Sequence, residues 1–319
     1  MYMIFQISKK TLKKLLPNPI LNVAISINRG IKKSCRFVKT FWRYSIFIKN
    51  TRFQIPLLAE LATDSNLRIS EHWMASLLEV LKFNDEAVFF DVGGNVGQTL
   101  LSIKSIYPTS TYFGFEPNPA CVFYMQQLVK KNNLENTTVV PVGLSDSNTT
   151  KQLWITENSH TGSGSTFSQI KDLKNKVPSL VPVFKLDTIC ADLLLSKQPS
   201  LIKVDVEGHE SEAIRGALQI IADSKPILIV ELLPPRSALD TKRLTIRDEL
   251  QKIVEELNYI IFSIQKTQTG DLLGLKKLQS FPSSVVLAEE SAETRDYLLV
   301  HSSRESELES INDQLNNSL

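Results

Sequence analysis

The chain has 319 residues, 42% of them hydrophobic and 22% charged, with a formal net charge of +2. That is the composition of an ordinary globular protein with enough apolar surface for a core, and three scattered cysteines (Cys35, Cys121, Cys190) exclude a disulfide framework or a Cys-x-x-Cys site. The charge is uneven: residues 1–59 hold 12 Lys or Arg and no acidic residue, which leaves 24 basic against 34 acidic residues in the rest, so a basic arm precedes an acidic body.

Residues 1–52 read as an appendage, expected to form an N-terminal helical extension. Met1 to Phe5 are apolar, but Lys9, Lys10, Lys13 and Lys14 follow at once. No uncharged run of about 18 residues comes after them, which disfavours a spanning helix. The order of charge and apolar residues is also the reverse of a secretory signal, so a cytoplasmic location is expected. From Lys32 to Lys49 basic residues (Lys32, Lys33, Arg36, Lys39, Arg43) interleave with Phe37, Phe41, Trp42, Tyr44 and Phe47. Three readings stand: a layer packed on the domain, a peripheral contact of residues 1–50 with a membrane surface, or a phosphate backbone. Nucleic acid is disfavoured by the net acidic body.

Ile69, Trp73, Leu77, Val80 and Leu81 follow a 3.6 period and predict a helix over 67–83. The chain then alternates. Strands are expected at 87–92, 111–115, 137–143, 200–206 and 226–231, and helices at 98–106, 119–132, 210–222 and 244–257. Residues 150–190, with Gly162-Ser163-Gly164-Ser165, break the rhythm as an insertion with short strands. Two late strands, 259–264 and 284–288, have no helical pattern between them and suggest an antiparallel edge pair. The fold class is therefore α/β, a doubly wound, mostly parallel sheet covered on both faces. The main domain spans 53–290, and the polar stretch 291–319 reads as a partly disordered tail.

In such a sheet, ligands lie beyond the carboxyl ends of the strands, where strand order reverses. Asp91-Val92-Gly93-Gly94-Asn95-Val96-Gly97 falls there. Its glycines permit close backbone approach and positive φ, and the next helix offers free N–H groups. The Gly-x-x-x-Gly spacing differs from that of dinucleotide binders, which disfavours NAD. Glu116 ends the next strand about 20 residues later, where a carboxylate can accept both hydroxyls of a ribose. Pro141 to Asp146 end the third strand, where Asp146 would meet an adenine edge.

Lys203-Val204-Asp205-Val206-Glu207-Gly208-His209-Glu210 carries the densest charge. On a strand, Lys203, Asp205 and Glu207 share one face, and buried charges must be paired or used. Asp205, then His209, are the first candidates for a general base, and Glu207 faces the same edge. Glu231 ends the next strand. Asp205, Glu207 and Glu231 are oxygen ligands suited to Mg²⁺, but no metal is expected.

Phe90 to Gly97, Glu116-Pro117, Leu186-Asp187 and Ile202 to Gly208, with Glu210 and Gly216, resemble the FkbM family of methyltransferases over about residues 85–235. The resemblance implies a class I, Rossmann-like fold, S-adenosyl-L-methionine as methyl donor, and O-methylation of a sugar, glycolipid or polyketide-like hydroxyl. It implies that Asp91, Gly93, Asn95 and Gly97 hold the methionine part and Glu116 the ribose, with Gly94 in the same cofactor-binding turn. Gly94 stands where the family often has Ala. His209 also stands where Ala is common, so no catalytic role for it follows from the resemblance. An RNA methyltransferase, or a binding protein that keeps the fold without catalysis, are the alternatives. A small-molecule or glycan acceptor is the expected partner.

Overall fold

Val88-Phe89-Phe90-Asp91-Val92 is buried at every residue, as an apolar run at the centre of a sheet requires. The computed structural model describes residues 44–56, 72–156, 167, 176–193, 198–235, 237, 239–283 and 295–305. Most of the basic arm (1–43), the Gly/Ser piece and residues 284–288 lie outside them.

In chain order the elements are β1 (Tyr44–Ile48), β2 (Thr51–Ile55), α1 (His72–Leu81), β3 (Val88–Val92), α2 (Gln98–Ile106), β4 (Thr111–Phe115), α3 (Pro119–Asn132) and β5 (Thr137–Val140). Then come β6 (Gly143–Leu144), β7 (Thr149–Thr156), β8 (Lys176–Phe184), α4 (Leu186–Leu193), β9 (Leu201–Val204), α5 (Glu210–Arg215) and α6 (Leu218–Ser224). The chain continues with β10 (Ile227–Glu231), α7 (Thr241–Glu256), β11 (Tyr259–Lys266), β12 (Leu272–Leu278) and β13 (Asp296–His301). The main sheet runs β12-β11-β13-β10-β9-β3-β4-β5. β5, β4, β3, β9 and β10 are parallel, and β13, β11 and β12 close it antiparallel. It is a doubly wound, Rossmann-like α/β sheet.

Alternation along the strands divides the core. Phe90, Val92, Ile202, Val204, Leu228 and Val230 share one cluster. Phe89 turns to the other face, stacked on Tyr107 at 5.6 Å and edge-on to Phe83 at 5.2 Å. The helix ends follow from local chemistry. Asn118 caps α3 by accepting the Ala120 N–H at 3.0 Å, Pro119 opens the helix, and Asn133 leaves it in the left-handed region.

Several expectations are corrected. The third strand stops at Val140, since Pro141 breaks the ladder, and Gly143–Leu144 pair instead with β8 in a small sheet of order β6-β8-β7. The helix expected over 210–222 is two helices parted at Gly216-Ala217. At Gly216 a Cβ would stand 2.0 Å from the Ser145 carbonyl oxygen, so only glycine fits. The Asp187 carboxylate accepts the Gln219 and Ile220 N–H groups at 3.1 and 2.9 Å and so caps α6 from another element.

At the chain's two ends the boundaries move. Tyr44–Ile55 form a two-stranded hairpin, not a helix, and Gln54 is tied to Asn132 of α3 by two hydrogen bonds. The polar tail expected from Ser291 contains β13, buried along most of its length between β10 and β11. Its apolar Tyr297-Leu298-Leu299-Val300 core was too short a run to outweigh the polar residues around it. Among the described residues no helix is long and apolar enough to cross a membrane.

Candidate active site

The strand order reverses between β3 and β9, and a cavity of about 240 Å³ opens beyond their carboxyl ends. Gly93, Gly94 and Asn95 form one wall. Gly93 has φ +88°, and a Cβ there would lie 1.9 Å from the Asp205 carbonyl oxygen, so the turn packs directly against the end of β9. Asn95 takes the left-handed region at φ 48°, which asparagine tolerates.

Glu116 is buried at the cavity edge. Its Oε2 accepts the Asn95 N–H and its Oε1 the Asn118 N–H, each at 2.8 Å. Burial outweighs these bonds and pushes its carboxyl up to about 7. A buried carboxylate held in place by backbone donors retains lone pairs for further donors, which suits a pair of ribose hydroxyls. The glycine cradle and this carboxylate fit an S-adenosyl-L-methionine site.

Beyond them lies a charged end. Lys203 is buried on β9, abreast of Asp91 on β3, and its Nζ donates to Asp205 at 3.0 Å. Burial opposes ionisation of Asp205, but the Lys203 charge and a hydrogen bond from Glu231 hold its pKa below the usual value. Glu231 is pushed well above the carboxylate range by burial and by the Asp205 charge. The pair therefore shares one proton, with Asp205 ionised and Glu231 protonated. Arg295 lies 3.0 Å from Glu231. Glu207 does not continue the strand: it sits at φ 53°, strained for its type, and lines the cavity. Burial, then the Asp205 charge, raise its carboxyl to about 7.

Asn95, Gly93, Gly94, Glu116, Asp205 and Glu207 are thus brought to one cavity. Four expected site residues are not. Asp91 lies beneath the glycine turn, fully buried, with the Tyr112 hydroxyl on Oδ2 at 2.5 Å and no partner for Oδ1 among the described residues. Gly97 starts α2 at φ +88° and faces Leu128. Asp146 is paired with Arg215 at 2.8 Å, and Arg215 also binds Glu249. His209 is buried behind the wall, its ring engaged by Ser145, Lys151 and Glu212.

Sequence reasoning missed a further wall formed by Trp73, Lys266, Arg295 and Asp296. Lys266 is paired with Asp296, and its ammonium stands 5.0 Å from the centre of the Trp73 ring. Trp73 reads locally as one position of an apolar stripe, and Arg295-Asp296 as part of a polar tail. Strand pairing brings Lys266, Arg295 and Asp296 to the cavity, and the seating of α1 on the β11–β12 turn, where the Trp73 N–H donates to the Gly270 carbonyl at 3.1 Å, brings Trp73. Among the described residues no group of three or more His, Cys, Asp or Glu is disposed to hold a metal ion.

A doubly wound sheet with a glycine cradle and a buried acid at successive strand ends places the chain among folds that bind a ribose-bearing cofactor. The family model described as the methyltransferase FkbM domain matches residues 91–261, and the chain belongs to that family. Its methyl donor is S-adenosyl-L-methionine. The chain is 27% identical over 179 residues to Methyltransferase 1 of Beauveria bassiana, covering 52% of this chain and 72% of that protein. It is 26% identical over 213 residues to the hexuronic acid methyltransferase AglP of Haloferax volcanii, covering 65% and 80%. Among solved structures, a methyltransferase FkbM from Methylobacillus flagellatus KT is 16% identical with a TM-score of 0.44, covering 72% of this chain. The chain spans 48% of that structure's length.

Proposed function

We propose that the protein methylates a hydroxyl oxygen on a sugar, glycolipid or polyketide-like small molecule, with Glu207 as the group that takes the hydroxyl proton. The observation that carries this reading is the placement of Glu207 on the same cavity as the glycine turn and Glu116. S-adenosyl-L-methionine, when bound, supplies an electrophilic methyl group on a sulfonium. A hydroxyl attacks it only as its proton leaves, so a base within hydrogen-bond reach is needed.

Among the carboxyls at this end, Glu207 suits the task best. A base is most effective when its pKa lies near the working pH, and Glu207 is raised to about 7. Asp205 is held low by Lys203 and Glu231, which makes it a weak base. It serves instead as the fixed negative charge that keeps the Glu207 pKa high and complements a positive donor. His209 is shut away from the cavity. The 26% identity to a hexuronic acid methyltransferase supports a glycan-related acceptor. The wall of Trp73, Lys266, Arg295 and Asp296 lies outside residues 91–261 and provides the surface against which such an acceptor is selected.

The test is a methyl-transfer screen with labelled donor against glycans, glycolipids and polyketide-like alcohols, followed by Glu207→Gln. The variant is expected to bind S-adenosylhomocysteine normally and lose about 100-fold or more in kcat. Full turnover in that variant would remove Glu207 as the base.

A further inference from the structure

His209 does not touch the cavity, yet four described residues converge on its buried ring. Nε2 lies 3.2 Å from the Lys151 ammonium and 3.1 Å from Ser145 Oγ, and Lys151 also donates to Ser145 Oγ at 2.8 Å. An ammonium has only donors, so Nε2 accepts and the ring proton sits on Nδ1, directed at Glu212 Oε1 at 3.4 Å. The Phe167 ring packs on the imidazole with centres 5.1 Å apart. Three parts of the chain are tied through one side chain: the β6–β7 segment through Ser145 and Lys151, α5 through Glu212, and the residue beyond β7 through Phe167. The Glu212–His209–Ser145 series has the order of a hydrolytic triad, but Ser145 has no exposed surface and no substrate reaches it.

Phe167 does reach the cavity. With Gly143, Leu144 and Leu153 it lies at the end next to Glu116 and Pro117, and among the described lining residues Glu116 is the one charge there. The opposite end carries Lys203, Asp205, Glu207, Glu231 and Arg295. An uncharged heterocycle joined to a ribose matches the first end, and the charged part of the donor matches the second. Gly143 is needed for this arrangement: a Cβ there would come within 2.8 Å of the tip of Phe167.

We propose that His209 is a positioning residue of the donor site, holding Phe167 as the wall for the purine ring of S-adenosyl-L-methionine. It acts through Phe167, and Lys151, Ser145 and Glu212 keep its own ring in place. The role concerns donor binding and is independent of which hydroxyl accepts the methyl group.

The test is calorimetric titration of the full chain with S-adenosylhomocysteine and with methylthioadenosine, which lacks the amino-acid end. Loss of one aromatic contact corresponds to about two- to tenfold in affinity. Phe167→Ala and His209→Ala are each expected to weaken both ligands by a similar factor. The double variant is expected to be no weaker than Phe167→Ala alone, and His209→Gln, which can still accept from Lys151, to recover part of the loss. Unchanged affinity in both single variants, or additive losses in the double variant, would overturn the proposal. So would a loss seen with S-adenosylhomocysteine and not with methylthioadenosine. If His209→Ala does not fold, His209→Gln and Lys151→Met, alone and with Phe167→Ala, are judged by the same criterion of non-additivity.

Discussion

Three glutamates, two lining this site and one buried close behind it, carry a carboxyl raised to about 7: Glu116, Glu207 and Glu210. In each, burial is the largest cause, and the neighbouring Asp205 charge adds to it. The consequences differ with placement. Glu207 faces the cavity, and in the proposed role of base its titration governs catalysis. As a base it must be ionised, and log kcat/KM is expected to rise with unit slope up to about pH 7 and then level off. The Glu207→Gln variant should show no such limb. Glu210 is buried away from the cavity, and its Oε1 accepts the Gly208 N–H at 2.8 Å. Its titration belongs to stability. The folded pKa lies above the unfolded value, so its contribution is full below about pH 4.5 and is lost as pH rises through about 7. Glu210→Gln keeps the acceptor and removes the buried charge. It is expected to leave stability unchanged at pH 4.5 and to raise it by ~2 kcal/mol at pH 8.5. Urea unfolding at the two pH values checks this; equal stability at pH 8.5 would show that the buried charge costs nothing.

Between elements, close approach decides which glycines are replaceable. At Gly216 a Cβ would meet the Ser145 carbonyl oxygen at 2.0 Å, and backbone cannot give way. At Gly94 the nearest atom is the Met125 Cε at 3.0 Å, the far end of a flexible side chain. Gly216→Ala is therefore expected to cost ~3 kcal/mol or prevent folding, while Gly94→Ala changes stability by less than ~1 kcal/mol. Thermal melts of the two variants side by side make the comparison. The helix bounds show what local chemistry alone conveys. Gln98–Ile106 and Pro119–Asn132 were readable to the residue, because a glycine turn opens the first and an Asn-Pro cap opens the second. The break at Gly216-Ala217 was not readable. The apolar period runs on across it, and the reasons for it are the Ser145 carbonyl and the Asp187 cap, which lie far away in sequence.

Over the whole molecule, the decisive element is β13. It pairs with β10 along Leu228–Glu231 and with β11 along Tyr259–Ser263, so it joins the parallel strands to the antiparallel edge. It also carries Asp296, the ion-pair partner of Lys266, and follows Arg295. A chain ending at residue 290 leaves β10 and β11 without their shared partner and unpairs both ladders. Such a truncation is expected to lose the cooperative unfolding of the full chain, as followed by circular dichroism. Cooperative melting of the 1–290 chain would show that the sheet closes without β13.

The alternation of strands and helices, the glycine turn, Glu116 and the Asp205-Val206-Glu207-Gly208 block were all determined by sequence alone, because each rests on neighbours within a few positions: period, capping, φ and local charge. They suffice for the fold class, the family and its donor. Tertiary structure decided the rest. It buried His209 behind Phe167, tied Asp146 to Arg215, set Asp91 beneath the turn, and brought Trp73, Lys266 and Arg295 to one cavity. Contacts between elements distant in sequence control where such side chains end up, and no local pattern records which element becomes whose neighbour.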